Sequence, residues 1–276
     1  MTVLGPALRR AVAAIAAFVL LSSGAAEAAK KKKKAPEPTP VPRPADPTRV
    51  TIPTADGVAL AASWRPVEGD AKAPGVLLIH DFSRDRREWE PFAEELRALG
   101  FATLSFDLRA HGESTKKAGS LLRISPTLLK DPAGFPRDVA AAAAWLRTKS
   151  PRTAALGLSV GGYLALIASS ERQVDAAVAI SVNEPRVLPL AGGRKVTPRG
   201  ALFLACDDDP GRPESAHELL AASAEPKRML LFPGGAHNLA VLREHPEAKQ
   251  AAIAWLGERL GVPPPAASTP PATVPK

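Results

Sequence analysis

Short apolar runs alternate with longer amphipathic segments along most of this chain. GVLLIH (75–80) and TAALGL (153–158) are almost wholly apolar, which is typical of strands buried on both faces of a parallel sheet. WEPFAEELRALG (89–100) has apolar residues at helical spacing and ends at a glycine, which predicts a helix. The same patterns predict strands at 101–107, 174–182, 200–206 and 228–232, and helices at 135–149, 160–171, 213–224 and 245–260.

The first two predicted strands differ from the rest because they form a hairpin. RVTIPT (49–54) and VALAASW (58–64) flank Asp56-Gly57, a turn signal. A hairpin followed by repeated strand–helix units predicts one three-layer α/β domain with a mostly parallel sheet, over residues 49–261. Functional residues in such sheets follow the carboxyl ends of the strands. A long loop at 109–134, with a short helix around 120–129, is expected to form a partial lid.

Segments at both ends have other compositions. Arg9 and Arg10 precede the apolar run AVAAIAAFVLL, and small residues follow at Ala26 and Ala28, so residues 1–28 are predicted to be a signal peptide. The alternative is an uncleaved amphiphilic tail. Residues 29–48 are rich in lysine and proline and residues 262–276 in proline, which predicts a disordered linker and tail. We therefore expect an exported protein, periplasmic or extracellular.

The net charge of +8 is concentrated near the N-terminus, at Arg9, Arg10 and Lys30–Lys34. The folded part is close to neutral, which argues against a nucleic-acid partner. The lysine run is expected to make at most weak contact with an anionic cell envelope. Cys206 is the only cysteine and closes the apolar run LFLAC, so a buried thiol without a disulfide is expected.

One motif carries nucleophile chemistry. Gly157-Leu158-Ser159-Val160-Gly161 lies where a predicted strand meets a predicted helix. G-x-S-x-G in that setting is the nucleophile elbow, in which small residues permit a tight turn that exposes the serine hydroxyl. The alternative is a tight connection with an exposed serine and no chemistry.

A nucleophilic serine needs a base, and the base needs an orienting carboxylate. His237 lies in the glycine-rich loop FPGGAHNLA after a predicted strand, whereas the other four histidines (His80, His111, His217 and His245) are at positions typical of structural or surface residues. LFLACDDDP (202–210) supplies three consecutive aspartates after another strand. A metal site there is not expected, because three consecutive side chains do not converge and no His or Cys cluster joins them.

Taken together, these segments resemble the α/β-hydrolases, near the cap-less esterases and the serine aminopeptidase and dienelactone hydrolase-like branches. The resemblance covers about residues 49–261 and is carried by the segments at 80–114 (HDFSRDRREWEPFAEELRALGFATLSFDLRAHGES), 157–162 (GLSVGG), 206–210 (CDDDP) and 234–238 (GGAHN). It implies an α/β-hydrolase fold. Residues 183–199 are too few for a large cap domain between the sixth and seventh strands.

The resemblance also implies roles for individual residues. Ser159 would be the nucleophile and His237 the general base. Asp209 would be the acid, because Asp209-Pro210-Gly211-Arg212-Pro213 fits the family's D-P-x-x-P frame. Asp208 is the reserve candidate and Asp207 a solvated turn residue. The oxyanion hole would be formed by the backbone N–H groups of Phe82 and Val160.

Two positions depart from the family pattern. Asp81 stands where the family has glycine after the histidine, and Ala110 replaces glycine in the D-x-R-G-H-G-x-S loop that begins at Asp107. Aspartate tolerates left-handed backbone conformations, so the first turn is expected to survive, but a carboxylate beside an oxyanion hole is costly unless it points away. That loop's His111 is expected to be structural.

The sequence therefore predicts an exported serine hydrolase that cleaves small carboxylic esters, or amides and short peptides, through an acyl-enzyme intermediate. No metal or organic cofactor is implied. The alternatives are a non-catalytic envelope protein that uses the hydrolase fold to bind, and an acyltransferase with the same triad.

Overall fold

The computed structural model describes residues 48–263. The predicted signal peptide lies outside these residues, as do nearly all of the predicted linker and tail. Eight strands form one sheet: β1 (Arg49–Pro53), β2 (Ala59–Arg65), β3 (Gly75–Ile79), β4 (Ala102–Phe106), β5 (Thr153–Leu158), β6 (Ala176–Ile180), β7 (Arg199–Cys206) and β8 (Ala224–Phe232).

The strand order is β1-β2-β4-β3-β5-β6-β7-β8. β2 pairs antiparallel with both β1 and β4, and every other pair is parallel, so six strands end at one common edge. The hairpin register places Ile52 opposite Leu60, as expected for a turn at Asp56-Gly57. The predicted mostly parallel sheet is confirmed.

The helices are α1 (Glu90–Ala98), α2 (Phe135–Arg147), α3 (Val160–Ser170), α4 (Glu184–Val187), α5 (Arg212–Ala222), α6 (Leu239–Glu244) and α7 (Pro246–Leu260). Three single 3₁₀ turns lie at Arg86–Trp89, Pro126–Lys130 and Leu188–Ala191. Within residues 48–263, no helix has both the length and the hydrophobicity needed to cross a membrane.

Two apolar cores cover the two faces of the sheet. In β3, Leu77 and Ile79 pack into the core shared with α2, α3 and α5, whereas Val76 and Leu78 pack into the core shared with α1, α6 and α7. This alternation explains why β3 reads as a continuous apolar run: both of its faces are buried. The three-layer architecture positions all strand ends rigidly for the loops beyond them.

Two connections differ from expectation. In the 109–134 loop, a short ribbon (Lys116–Lys117 with Ser120–Leu121) precedes the 3₁₀ turn at Pro126–Lys130, so the expected short helix is reduced to this later turn. Residues 181–198 hold only α4 and the turn Leu188–Ala191. The predicted absence of a large cap at this position is confirmed for the described residues.

Candidate active site

Ser159 forms the sharp turn between β5 and α3. Its backbone angles are φ 50° and ψ −112°, a conformation that L-residues rarely adopt. The turn lifts a partly exposed hydroxyl above the carboxyl edge of the sheet. Strain of this kind persists only where the surroundings enforce it.

The neighbouring glycines allow the close packing that enforces the turn. A Cβ on Gly161 would lie 2.3 Å from the carbonyl oxygen of Ile79, and one on Gly157 would lie 2.1 Å from that of Gly161. Both distances are far inside van der Waals contact. The glycine spacing of the motif therefore reflects a steric requirement of this turn, beyond backbone flexibility.

His237 and Asp209 are joined across two loops. His237 Nδ1 donates to Asp209 Oδ2 at 2.7 Å. The Asp209 side chain is only 6% exposed, whereas that of His237 is 40% exposed. Because Nδ1 carries the proton in this bond, Nε2 of a neutral His237 is left as the basic nitrogen.

Backbone contacts hold these loops together. Asp208 N–H donates to Gly234 O at 3.0 Å, and Gly234 N–H donates to Asp207 Oδ1 at 2.8 Å. Asp207 and Asp208 are exposed and only Asp209 turns inward. The run thus consists of one buried carboxylate that faces His237 and two surface residues that both bond to Gly234 of the histidine loop.

Ser181 provides a further anchor at the end of β6. Its buried hydroxyl accepts a hydrogen bond from the N–H of Asn238, the residue after His237, at 3.0 Å. Both residues have positive φ angles, 53° and 55°. The histidine is therefore fixed from two sides, by Asp209 at its ring and by Ser181 at the adjoining peptide.

Ser159 and His237 line the same cavity, which has a volume of about 120 Å³. No hydrogen bond joins Ser159 Oγ to His237 within the described residues, and such contacts commonly tighten when substrate binds. The other lining residues come from five separate segments: Asp81, Phe82 and Ser83; Leu129; Val160; Arg186 and Val187; and Arg212.

Two backbone N–H groups at this cavity have no acceptor among residues 48–263. Val160 is the first residue of α3, so its N–H has no intrahelical partner. The Asp81–Phe82 peptide is oriented by buried His80, whose Nδ1 donates to Asp81 O at 2.7 Å while its Nε2 accepts from Leu108 N–H at 2.9 Å. Because the peptide is planar and trans, Phe82 N–H points away from His80.

The Asp81 carboxylate is turned toward Ser83. Asp81 Oδ2 accepts from Ser83 Oγ at 2.8 Å, and Asp81 has no positive φ, so the turn survives without a left-handed residue there. Asp81 N–H donates to Glu88 Oε1 at 3.0 Å. Burial raises the pKa of the Glu88 carboxyl to about 7, although the Asp81 N–H opposes that shift.

The loop that follows β4 contacts residues 82–86, the segment that begins with the predicted oxyanion-hole residue Phe82. His111 Nε2 lies 2.7 Å from Phe82 O, and Asp107 accepts from Arg86 N–H at 2.8 Å. Burial also lowers the pKa of the His80 imidazole to about 4, so His80 is neutral at neutral pH.

Ala110, in the loop that follows β4, adopts φ 67°, a left-handed conformation that the glycine of the family pattern would adopt without strain.

The comparison with family models matches residues 76–198 to the model described as the alpha/beta hydrolase family. The match contains the turn at Ser159, the loops that follow β3 and β4, and the two cavity residues of α4, Arg186 and Val187. Over these residues the chain is similar to the α/β-hydrolase family. In sequence, the chain is also 28% identical over 213 residues to an uncharacterized protein of Mycobacterium tuberculosis strain H37Rv, covering 68% of this chain and 72% of the relative.

Solved structures share the fold of this chain at low identity. The Pyrococcus furiosus esterase Pf2001 superposes with a TM-score of 0.61 at 21% identity, covering 77% of this chain and 92% of that one. XC6422 from Xanthomonas campestris, described as an α/β serine hydrolase without a lid, gives a TM-score of 0.58 at 20% identity, covering 80% and 100%. The predicted α/β-hydrolase fold is confirmed.

The structure brings all five predicted site residues to one edge of the sheet. Sequence reasoning missed Ser181 and Glu88, whose roles depend on contacts distant in sequence. It also missed the two cavity arginines, Arg186 and Arg212. The one signal available was position: Ser181 lies at the end of the strand predicted at 174–182, and Arg186 lies in the segment that follows this strand.

Proposed function

We propose that this hydrolase is a serine esterase in which Ser159, His237 and Asp209 form the catalytic triad. The observation that carries the proposal is the 2.7 Å bond between His237 and a buried Asp209, with His237 sharing a cavity with the strained Ser159. A histidine with a fixed tautomer beside a serine on an elbow is the arrangement that nucleophilic acyl transfer needs.

In the proposed mechanism, Ser159 Oγ attacks the ester carbonyl while His237 Nε2 takes its proton. The carbonyl oxygen becomes an oxyanion held by the N–H groups of Phe82 and Val160, each worth about 3–4 kcal/mol of transition-state stabilisation. His237 then returns the proton to the leaving alcohol. Water, deprotonated by the same nitrogen, hydrolyses the acyl-enzyme and restores Ser159.

The choice of small esters over larger substrates is supported by the size of the cavity. About 120 Å³ at the nucleophile accommodates a short acyl group, with Leu129 from the 109–134 loop and Val187 from α4 closing it. Amides and short peptides share the same chemistry but have poorer leaving groups.

Labelling with a fluorophosphonate probe tests the nucleophile directly. Wild type should be labelled and should hydrolyse p-nitrophenyl acetate, and Ser159→Ala should do neither. A folded wild type that is neither labelled nor active would sink the proposal and favour a non-catalytic binding protein. Acyl transfer to an added alcohol that exceeds hydrolysis would instead favour an acyltransferase.

We further propose that the protein is exported, on the basis of residues 1–28 alone. N-terminal sequencing of protein recovered from a cell fractionation tests this. A mature N-terminus after Ala28 in the periplasmic or secreted fraction is expected, and an intact Met1 in the cytosol would contradict it.

A further inference from the structure

Two arginines approach the candidate nucleophile from adjoining helices. Arg186 belongs to α4 and Arg212 begins α5, and both line the cavity that contains Ser159. The two helices are joined by the hydrogen bond from Glu184 N–H to Ser215 Oγ, at 3.0 Å. Arg186 and Arg212 therefore line the cavity from two helices that are in contact.

Arg186 has no carboxylate partner within residues 48–263. Its backbone N–H donates to Asn183 Oδ1, but its exposed side chain makes no ion pair with a described residue. The buried arginines of this protein are held differently: Arg109, for example, binds both Asp56 and Asp138. A guanidinium at a cavity wall without such compensation is free to bind an anionic group.

Arg212 is only partly compensated. Its Nε lies 3.5 Å from Asp209 Oδ1 without forming a hydrogen bond, and Nη1 donates to Pro210 O. Asp209 also accepts a hydrogen bond from His237, so its single carboxylate is shared between His237 and Arg212. Asp81, the acidic residue that lines the cavity, accepts a hydrogen bond from Ser83.

The remaining walls are apolar and the space is short. Phe82, Leu129 and Val187 line the cavity together with the arginines. Its volume of about 120 Å³ at the nucleophile favours a short acyl group.

We propose that this cavity is an acyl subsite for short dicarboxylic acids, so that the preferred substrates are half-esters whose free carboxylate binds Arg186 and Arg212. The proposal rests on the proposed esterase function. Paired guanidinium groups bind carboxylates through charge-assisted hydrogen bonds, whereas a neutral acyl chain of the same length gains nothing from them. In the reaction, the Ser159 Oγ–acyl bond forms, the ester C–O bond breaks, and water later releases the dicarboxylate.

The test compares two p-nitrophenyl esters of equal chain length, the glutarate half-ester and the pentanoate, with Ser159→Ala as the blank for spontaneous hydrolysis. Wild type should show a kcat/KM at least tenfold higher for the half-ester, and the preference should decrease with added salt. Arg186→Met should lose most of this preference, because kcat/KM should fall much further for the half-ester than for the pentanoate. The readout is the ratio of kcat/KM for the two esters, so a loss of triad activity lowers both values and leaves the ratio unchanged. Arg212→Gln can therefore be measured in the same way, although Arg212 lies beside Asp209.

Arg243→Met is the matched control. Arg243 is exposed and lines a wider groove whose lining residues do not include Ser159, so its substitution should leave the ratio unchanged. Equal activity on both esters in wild type, or an unchanged ratio in Arg186→Met, would overturn the subsite while leaving the esterase intact. Hydrolysis of neither ester would overturn both proposals.

Discussion

His237 Nδ1 lies 2.7 Å from Asp209 Oδ2, and the two residues belong to loops that follow the neighbouring strands β7 and β8. The parallel pairing of these strands runs to Phe232 opposite Cys206, so both loops begin at the same level of the sheet. The pair is thus set by strand register as well as by the side chains themselves. A shift in that register would separate the histidine from its carboxylate.

Substitutions within the aspartate run should have very different effects on kcat. Asp209→Asn should lower kcat for p-nitrophenyl acetate by roughly 10³- to 10⁴-fold, because an amide no longer stabilises the His237 tautomer and the developing imidazolium. Asp207→Asn should be mild, since an amide oxygen still accepts from Gly234 N–H, and Asp207→Ala should have a larger effect than Asp207→Asn. If Asp207→Asn lowers kcat strongly and Asp209→Asn lowers it only slightly, the acid of the triad is wrongly assigned.

The elbow should not tolerate a methyl group at Gly161. Gly161→Ala would place a Cβ 2.3 Å from Ile79 O, and relief requires the α3 backbone to move away from β3. We expect a loss of about 1–3 kcal/mol in unfolding free energy, a fall of several degrees in Tm, and little remaining activity.

Gly235→Ala is the control for that substitution. Its Cβ would meet Asp208 O at 3.6 Å, an ordinary contact, and its φ is not positive. Thermal unfolding by circular dichroism should place this variant close to wild type. If both variants unfold at the same temperature, the packing at Gly161 is not what fixes the turn.

The parts of the site that sequence predicted are those with local causes. The G-x-S-x-G motif occupies five consecutive residues, Gly157 to Gly161, so it is visible in the sequence although Gly161 also packs against Ile79 of β3. Asp209 was selected by the D-P-x-x-P frame, and the structure turns this aspartate, and neither of its neighbours, toward His237. The fold was predictable because buried strands such as β3 are continuous apolar runs.

The parts that sequence did not predict depend on distant contacts. Helices α4 and α6 were missed because four and six residues are too few to show helical periodicity. β8 begins at Ala224, earlier than its apolar run, because its pairing with β7 extends past a register shift between Ala224 and Lys227. Leu129 and Arg186 meet only because the loop after β4 and helix α4 close on the same cavity.

Ser181 should affect catalysis through the position of His237. Ser181→Ala removes the acceptor for Asn238 N–H, at a cost of about 1–3 kcal/mol for an unpaired buried donor. We expect kcat to fall about tenfold with KM little changed, measured on p-nitrophenyl acetate. Ser169→Ala is the matched control, because this buried hydroxyl also bonds the backbone, at Arg199, far from the site. We expect both variants to lose a similar amount of Tm and only Ser181→Ala to show a lower kcat. Equal effects of the two substitutions on kcat would contradict a positioning role for Ser181.

Glu88 should make stability depend on pH near neutrality. Burial raises its pKa from 4.5 in the unfolded chain to about 7, so between these values the folded state holds a proton that the unfolded state does not. Stability from this group is therefore present below pH 4.5 and is lost as the pH rises toward 7. Asp81, Arg84 and Asp85 act on the same carboxyl, with Arg84 opposing the rise.

Glu88→Gln isolates that contribution because the amide oxygen still accepts from Asp81 N–H but does not titrate. The Tm of this variant relative to wild type should increase from pH 5 to pH 8, and the titration of buried His80, common to both proteins, cancels in the difference. A Tm difference between Glu88→Gln and wild type that is the same at every pH would mean that Glu88 is already ionised throughout this range, and that its contact with the oxyanion loop is insensitive to protons.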